Sequence, residues 1–177
     1  MILPWDRLNL LRTQIDSISI EYEYHGTRRK FIKRRECEDL ILEWLIDCYL
    51  MGLEDTPDID KMYDTIYRKV AGKTFEQRVS EYATAGDVDG IMLVAETEAT
   101  RDFNEGGMEG ARRRGLTEKT WHTMNDDRVR DTHVYLEGVT VDIDADFYTY
   151  DGDHAPVPGL FENAENNCNC RCFLTFN

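Results

Sequence analysis

Between Glu36 and Met51 the apolar residues fall on one stripe: Leu40, Ile41, Trp44, Leu45, Cys48 and Tyr49 recur at i, i+1, i+4, i+5, i+8 and i+9. This spacing predicts a helix with one wide buried face, and such a face needs partner elements to cover it. Gly52 is placed to close the helix in the left-handed conformation. The partners come from the following sequence. Ile59, Met62, Tyr63, Ile66 and Val70 share one face of a second helix, with Gly72 after it. Thr74 and Gln77 fit a capping box, in which side chain and backbone satisfy each other's free donors. That box opens a short helix to about Thr84, broken at Gly86. Asp87 can cap a long helix from Val88 to about Asn104, which Gly106-Gly107 would end. A short basic piece then closes at Gly115.

Strands flank this helical block. Leu8 to Gln14 is a short helical candidate, followed by Ser17 to Tyr24, where apolar and polar residues alternate with period two. That pattern predicts a half-buried strand. With a turn at His25-Gly26-Thr27 and a return strand over Lys30 to Lys33, it makes a hairpin. After Gly115 the character changes. Lys119 to Thr123 is short and β-prone, and Asp126 can cap a helix carrying Val129, His133 and Leu136, with Gly138 as its stop. Val139 to Ile143 alternates as a strand, Asp151 to Pro158 reads as loop, and Cys170 to Phe176 alternates again. The expected fold class is α+β: an N-terminal hairpin and helices (residues 1–73), then a small mixed α/β unit (residues 74–177).

The 177 residues carry a net charge of -14, with 41% hydrophobic and 32% charged residues. This composition can bury a core. The charge argues against recognition of duplex nucleic acid by direct base contact, because that mode depends on Lys and Arg against phosphate. Arg28-Arg29-Lys30, Lys33-Arg34-Arg35 and Arg112-Arg113-Arg114 read as solvated faces. No apolar run approaches the roughly 18 residues that span a bilayer. The start, Met1 to Asp6, lacks the basic and apolar regions of a leader, so the protein is expected to be cytoplasmic where it is made, with no membrane partner. In that compartment five cysteines read as thiols or metal ligands, and Cys37 and Cys48 as core thiols on a helical face.

Several residues form a recurring order: Thr97-Glu98, Arg101 and Asn104 on the long helix; Gly115 and Trp121; Asp127-Arg128-Val129-Arg130-Asp131-Thr132-His133; Gly138; Phe147; Pro158-Gly159; and Cys170-Arg171-Cys172. In this order and spacing the chain resembles the phage Mu protein F-like (MuF) family of minor head, or head-morphogenesis, proteins of tailed bacteriophages. The resemblance spans about Tyr63 to Phe176. It implies a structural protein of a phage or prophage, at low copy in the head interior and made in the bacterial host cytoplasm. The implied partners are the portal protein and/or the major capsid protein.

Three constellations carry chemistry. Cys170 and Cys172 on a strand would direct both sulfurs to one face. The resemblance places His133 on a nearby helix, with Cys168 or His122 available as a fourth ligand. Zinc favours such thiolate and imidazole sets. Buried thiols beside a core histidine, or a disulfide, fit the same residues. Second, Asp127, Arg128, Arg130 and Trp121 form a candidate structural network, in which Asp127–Arg130 and Arg130–His133 sit three apart within two helical turns. If the chain were an enzyme, His133 as general base and Arg130 as a phosphoryl clamp would be the candidates. Third, Glu96-x-Glu98 matches a pair found in ADP-ribosyltransferases, which would add Glu98 to that set. Its helical position favours instead a solvated helix face with Glu98 pairing Arg101. Asp142-Ile143-Asp144-Ala145-Asp146 lacks the glycine and distal glutamate of a calcium loop and reads as a solvated strand edge. No phosphate-cradling glycine loop or nucleophile elbow is present. The leading expectation is a structural head protein. The alternative is a small nuclease-like or ADP-ribosyltransferase-like module, and zinc is the one cofactor candidate.

Overall fold

A computed structural model describes residues 3–177. Met1 and Ile2, part of the stretch read above for a leader, lie outside the described residues. Pro4–Arg7 forms a 3-10 turn that leads into α1 (Leu8–Ser17). The hairpin follows as β1 (Ser19–Tyr24) and β2 (Thr27–Ile32), antiparallel with Ile20 opposite Phe31 and Tyr22 opposite Arg29. The expected half-burial does not occur: Ile20, Tyr22, Tyr24 and Phe31 are all exposed, because no element packs on their face.

The striped helix is α2 (Arg34–Leu53), and its stripe is buried at Ile41, Trp44, Leu45, Cys48 and Tyr49. It runs through Gly52, and Glu54 takes the left-handed cap instead, at φ 54°. The second helix, α3 (Ile59–Ile66), stops before Val70, which is exposed and bridges to Lys73. The capping box at the start of α4 (Phe75–Ala85) forms as expected: Thr74 N–H donates to Gln77 Oε1 at 3.0 Å, and Gln77 N–H donates to Thr74 Oγ1 at 3.4 Å. Asp87 caps α5 (Val88–Arg113) by accepting from Gly90 N–H.

Helix α5 is the spine. It packs on α1, α2, α3, α4 and the last strand. Gly106-Gly107 does not end it. These glycines lie inside the helix where α2 comes closest. A Cβ on Gly106 would overlap the Tyr49 carbonyl, one on Gly110 that of Leu53, and one on Gly52 that of Phe103. Glycine here permits backbone contact between two helices, and the continuous ladder of hydrogen bonds outweighs its propensity cost of about 1 kcal/mol.

The C-terminal unit is built from short pieces: β3 (Glu118–His122), α6 (Asp131–Val134), β4 (Thr140–Asp142), β5 (Phe147–Tyr148), β6 (His154–Ala155), α7 (Ala164–Asn167) and β7 (Phe173–Phe176). One antiparallel sheet has the order β4-β3-β7, and β5 pairs with β6, of which β6 lies in the stretch expected to be loop. Asp126 caps no helix. Residues 126–130 are irregular, and the helix around His133 is a single turn. The α+β class holds. The line drawn between residues 73 and 74 does not divide two cores. One aliphatic core runs from Leu11 to Phe103, and the second gathers Met108, Ala111, Trp121, Leu136, Phe147, Val157, Phe161, Cys170, Cys172 and Leu174.

Candidate metal centre and its polar surroundings

Trp121 on β3 anchors the second core. It is fully buried, with Phe147, Phe161 and His133 ringed around it at 5.1–5.9 Å between ring centres. The single turn α6 brings His133 into this cage, where its ring stacks on Phe161 at 5.4 Å and 29°. The cysteines arrive from the other side. Asn169 adopts φ 54° and turns the chain into the extended segment leading to β7. The strand itself begins only at Phe173, but residues 170 and 172 still direct their sulfurs the same way. Arg171, between them, points away to Asp126, 2.8 Å from Arg171 Nη2 to Asp126 Oδ1.

Three residues of α5 fix that segment. Asn169 N–H donates to Thr97 Oγ1, Thr100 Oγ1 donates to the Cys170 carbonyl, and Asn104 Nδ2 donates to the Cys172 carbonyl at 3.1 Å. Asn104 Oδ1 also accepts from Leu174 N–H at 3.0 Å. Residues 97, 100 and 104 share one helical face. Thr97 and Asn104 entered the sequence reading only through the resemblance, and Thr100 was missed. A threonine and an asparagine at helical spacing inside an apolar face were the available signal.

His133 Nδ1 therefore lies 3.7 Å from Cys170 Sγ and 3.6 Å from Cys172 Sγ. The three ligand atoms fall within 4.8 Å of one another, and all three residues are buried. Hydrogen bonding from Cys172 pulls the Cys170 thiol well below its ordinary pKa, against its burial. The same contact, with burial, pushes the Cys172 thiol up.

The other expected members lie elsewhere. Cys168 is half-buried and outside the cluster, and its carbonyl accepts from Arg130 Nη2. His122 bonds Glu137 at 3.2 Å and Thr175 at 2.9 Å. The Asp127–Arg130 pair does not form, because the segment is not helical: Asp127 is exposed, and Arg128 reaches back to Glu96. Glu98, the carboxylate of the enzyme alternative, pairs with Arg101 as the helical reading expected, but it is buried rather than on a solvated face, and it pairs with Arg78 as well. His133, Arg130 and Glu98 do not converge. Arg101 is buried too. Its guanidinium bonds Asp102 at 2.9 Å and donates to the Thr65 carbonyl at the end of α3, satisfying a free helix terminus. Burial, only partly offset by Arg101, pushes Asp102 up to about 7.

A second polar hub was not foreseen. Asp153 accepts from the backbone N–H groups of His154, Glu162 and Asn163 and from Asn166 Nδ2, at 2.8–3.2 Å. Asn166 Oδ1 then accepts from Thr132 Oγ1, linking the hub to the turn that carries His133. Burial works against the Asp153 carboxylate, but these donors hold it below the usual range.

Residues 60–175 match the family described as Phage Mu protein F like protein, and the chain belongs to that family. Two curated relatives are similar to it. One is minor head protein GP7 of Bacillus phage SPP1, 33% identical over 87 residues, or 48% of this chain and 28% of the relative. The other is NAD(+)--arginine ADP-ribosyltransferase EFV of Enterococcus faecalis (strain ATCC 700802 / V583), 33% identical over 110 residues, or 60% of this chain and 21% of the relative. The chain thus spans less than a third of the length of either. No solved structure matches it. No helix among the described residues is long and apolar enough to cross a membrane.

Proposed function

We propose that this chain acts as a minor head protein in the assembly of a tailed phage or prophage head. In this reading it is present at low copy in the head interior after synthesis in the host cytoplasm, and it docks on the portal protein or the inner face of the major capsid protein. Family membership and the SPP1 relative support the head role. The observation that carries the docking role is the β1–β2 hairpin. Ile20, Tyr22, Tyr24 and Phe31 expose an apolar strip on one face of a two-stranded sheet with open edges, a surface suited to a partner protein.

The Enterococcus relative is the ground for an enzymatic alternative. Glu98 gives it no support here, being buried and ion-paired on α5. The net charge of -14 favours protein partners over bare DNA.

Removal of residues 1–33 would be a poor test, because Leu11, Ile15 and Ile32 belong to the first core. Ile20→Ser combined with Phe31→Ser changes only exposed side chains. The double variant should keep its melting temperature and fail to enter gradient-purified particles, as read by quantitative mass spectrometry. Normal incorporation of the double variant would remove the hairpin from the docking role. Absence of the unmodified protein from particles would end the head reading itself.

A further inference from the structure

We propose that His133, Cys170 and Cys172 form a zinc site, with Nδ1 and two thiolates as ligands and the fourth position open to a single water. The inference stands apart from the head-assembly reading and rests on four observations.

The first is spacing. Zinc binds thiolate at about 2.3 Å and imidazole at about 2.0–2.1 Å, so a tetrahedral site sets N···S separations of roughly 3.5–3.6 Å. The observed separations are 3.6 and 3.7 Å. The second is convergence. Both sulfurs address the same nitrogen, and Nδ1 has one lone pair, which can accept only one S–H in line. A metal ion satisfies all three atoms together.

The third is the state of the imidazole. His133 is buried between Trp121 and Phe161, and its Nε2 has no hydrogen-bond partner. Among the described residues its ring nitrogens bond only the two sulfurs, through Nδ1, and a buried, half-satisfied polar ring is costly. Ligation through Nδ1 gives that nitrogen one strong partner and leaves the proton on Nε2, inside the aromatic cage. The fourth is room. A cavity of about 10 Å³ adjoins two of the three ligands, His133 and Cys172, and is lined also by Val129 and Arg130. That is close to the volume one water requires. Cys168 and His122 are both held elsewhere.

Two thiolates neutralise the charge of Zn²⁺, and soft sulfur with imidazole selects zinc over magnesium, calcium or manganese. A Cys₂His set with an exchangeable fourth ligand has the ligand count of catalytic zinc rather than of a closed structural knuckle.

The test uses the full chain, purified without chelator after growth in zinc-supplemented medium. Elemental analysis should find about one zinc per chain. Exchange of zinc for Co²⁺ should produce thiolate-to-cobalt charge-transfer absorption. Cys172→Ser and His133→Ala should lose the metal, and Cys168→Ser should retain it. Because the first two variants could fail to fold, the cobalt spectrum of the unmodified chain is the independent readout. A folded, zinc-free protein without cobalt absorption overturns the proposal. So does an intact-mass deficit of two hydrogens that maps to a Cys170–Cys172 disulfide, or metal loss in Cys168→Ser.

Discussion

The two halves of the molecule solve the same problem with different materials. From Leu11 to Phe103 the core is made of long helices whose apolar faces meet along their length, and the contacts are mainly aliphatic. From Leu116 onward no helix or strand exceeds five residues, and none has enough apolar face to hold itself in place. There the chain is pinned by groups that fix individual atoms: the Asp153 hub, the Thr97–Thr100–Asn104 clamp, the Trp121 cage and the His133–Cys170–Cys172 cluster. Long elements distribute stability over many weak contacts, while short elements concentrate it in a few polar or aromatic anchors. The second half should therefore be more sensitive to single substitutions, and its loss should be separable from the first.

The largest effect should come from Trp121→Ala. Removal of a fully buried aromatic costs about 3–5 kcal/mol, and here it empties the centre of the second core. Hydrogen exchange should show residues 116–177 opening while α2 and α4 stay protected. Simultaneous opening of both would break the comparison and make the chain one cooperative unit.

Next, Gly106→Ala should separate α2 from α5, because its Cβ would meet the Tyr49 carbonyl. Overpacking of this kind costs about 1–3 kcal/mol, read as a lower denaturant midpoint with the loss centred on the first core. An unchanged midpoint would show that the helices can slide apart at no cost.

Asp153→Ala should then cost about 1–3 kcal/mol in the second half by leaving buried donors unpaired. Its pH signature has a definite sign. The folded carboxylate sits below its ordinary value of 3.8, so its contribution is full above that value and is lost as pH falls through the folded pKa. The variant should flatten acid unfolding of residues 116–177.

The smallest effect, and the opposite sign, belongs to Asp102 on α5. Its pKa rises from 3.8 to about 7 through burial, with Glu98 and Glu105 adding to the rise and Arg101 opposing it. Between these values the unfolded chain is ionised while the folded residue keeps its proton, so stability falls as pH rises from about 4 to 7. Asp102→Asn should remove that slope in a pH series of melting temperatures. Persistence of the slope would assign it to another group.

The sequence alone determined what depends on neighbours along the chain. The α2 stripe, the capping box at Thr74 and Gln77, the Asp87 cap, the existence of the hairpin and the alternation that aligns Cys170 with Cys172 are local, set by periodicity and by donors within a few residues. The resemblance to the MuF family was legible because its motifs keep their order regardless of how they fold together. Tertiary structure decided everything that depends on which face meets which. Gly52 and Gly106 read as stops by local propensity and became contact points because two helix backbones approach there. Asp126 read as a cap and does accept from Arg128 N–H, yet Arg171 also binds its carboxylate from the strand side and the segment that follows is irregular. His133 could have joined Cys168 or His122, but the clamp from α5 turned the chain at Asn169 and delivered two sulfurs, not three, to its ring. Side chains far apart in sequence meet only when packing is complete, and local spacing contains no term for that.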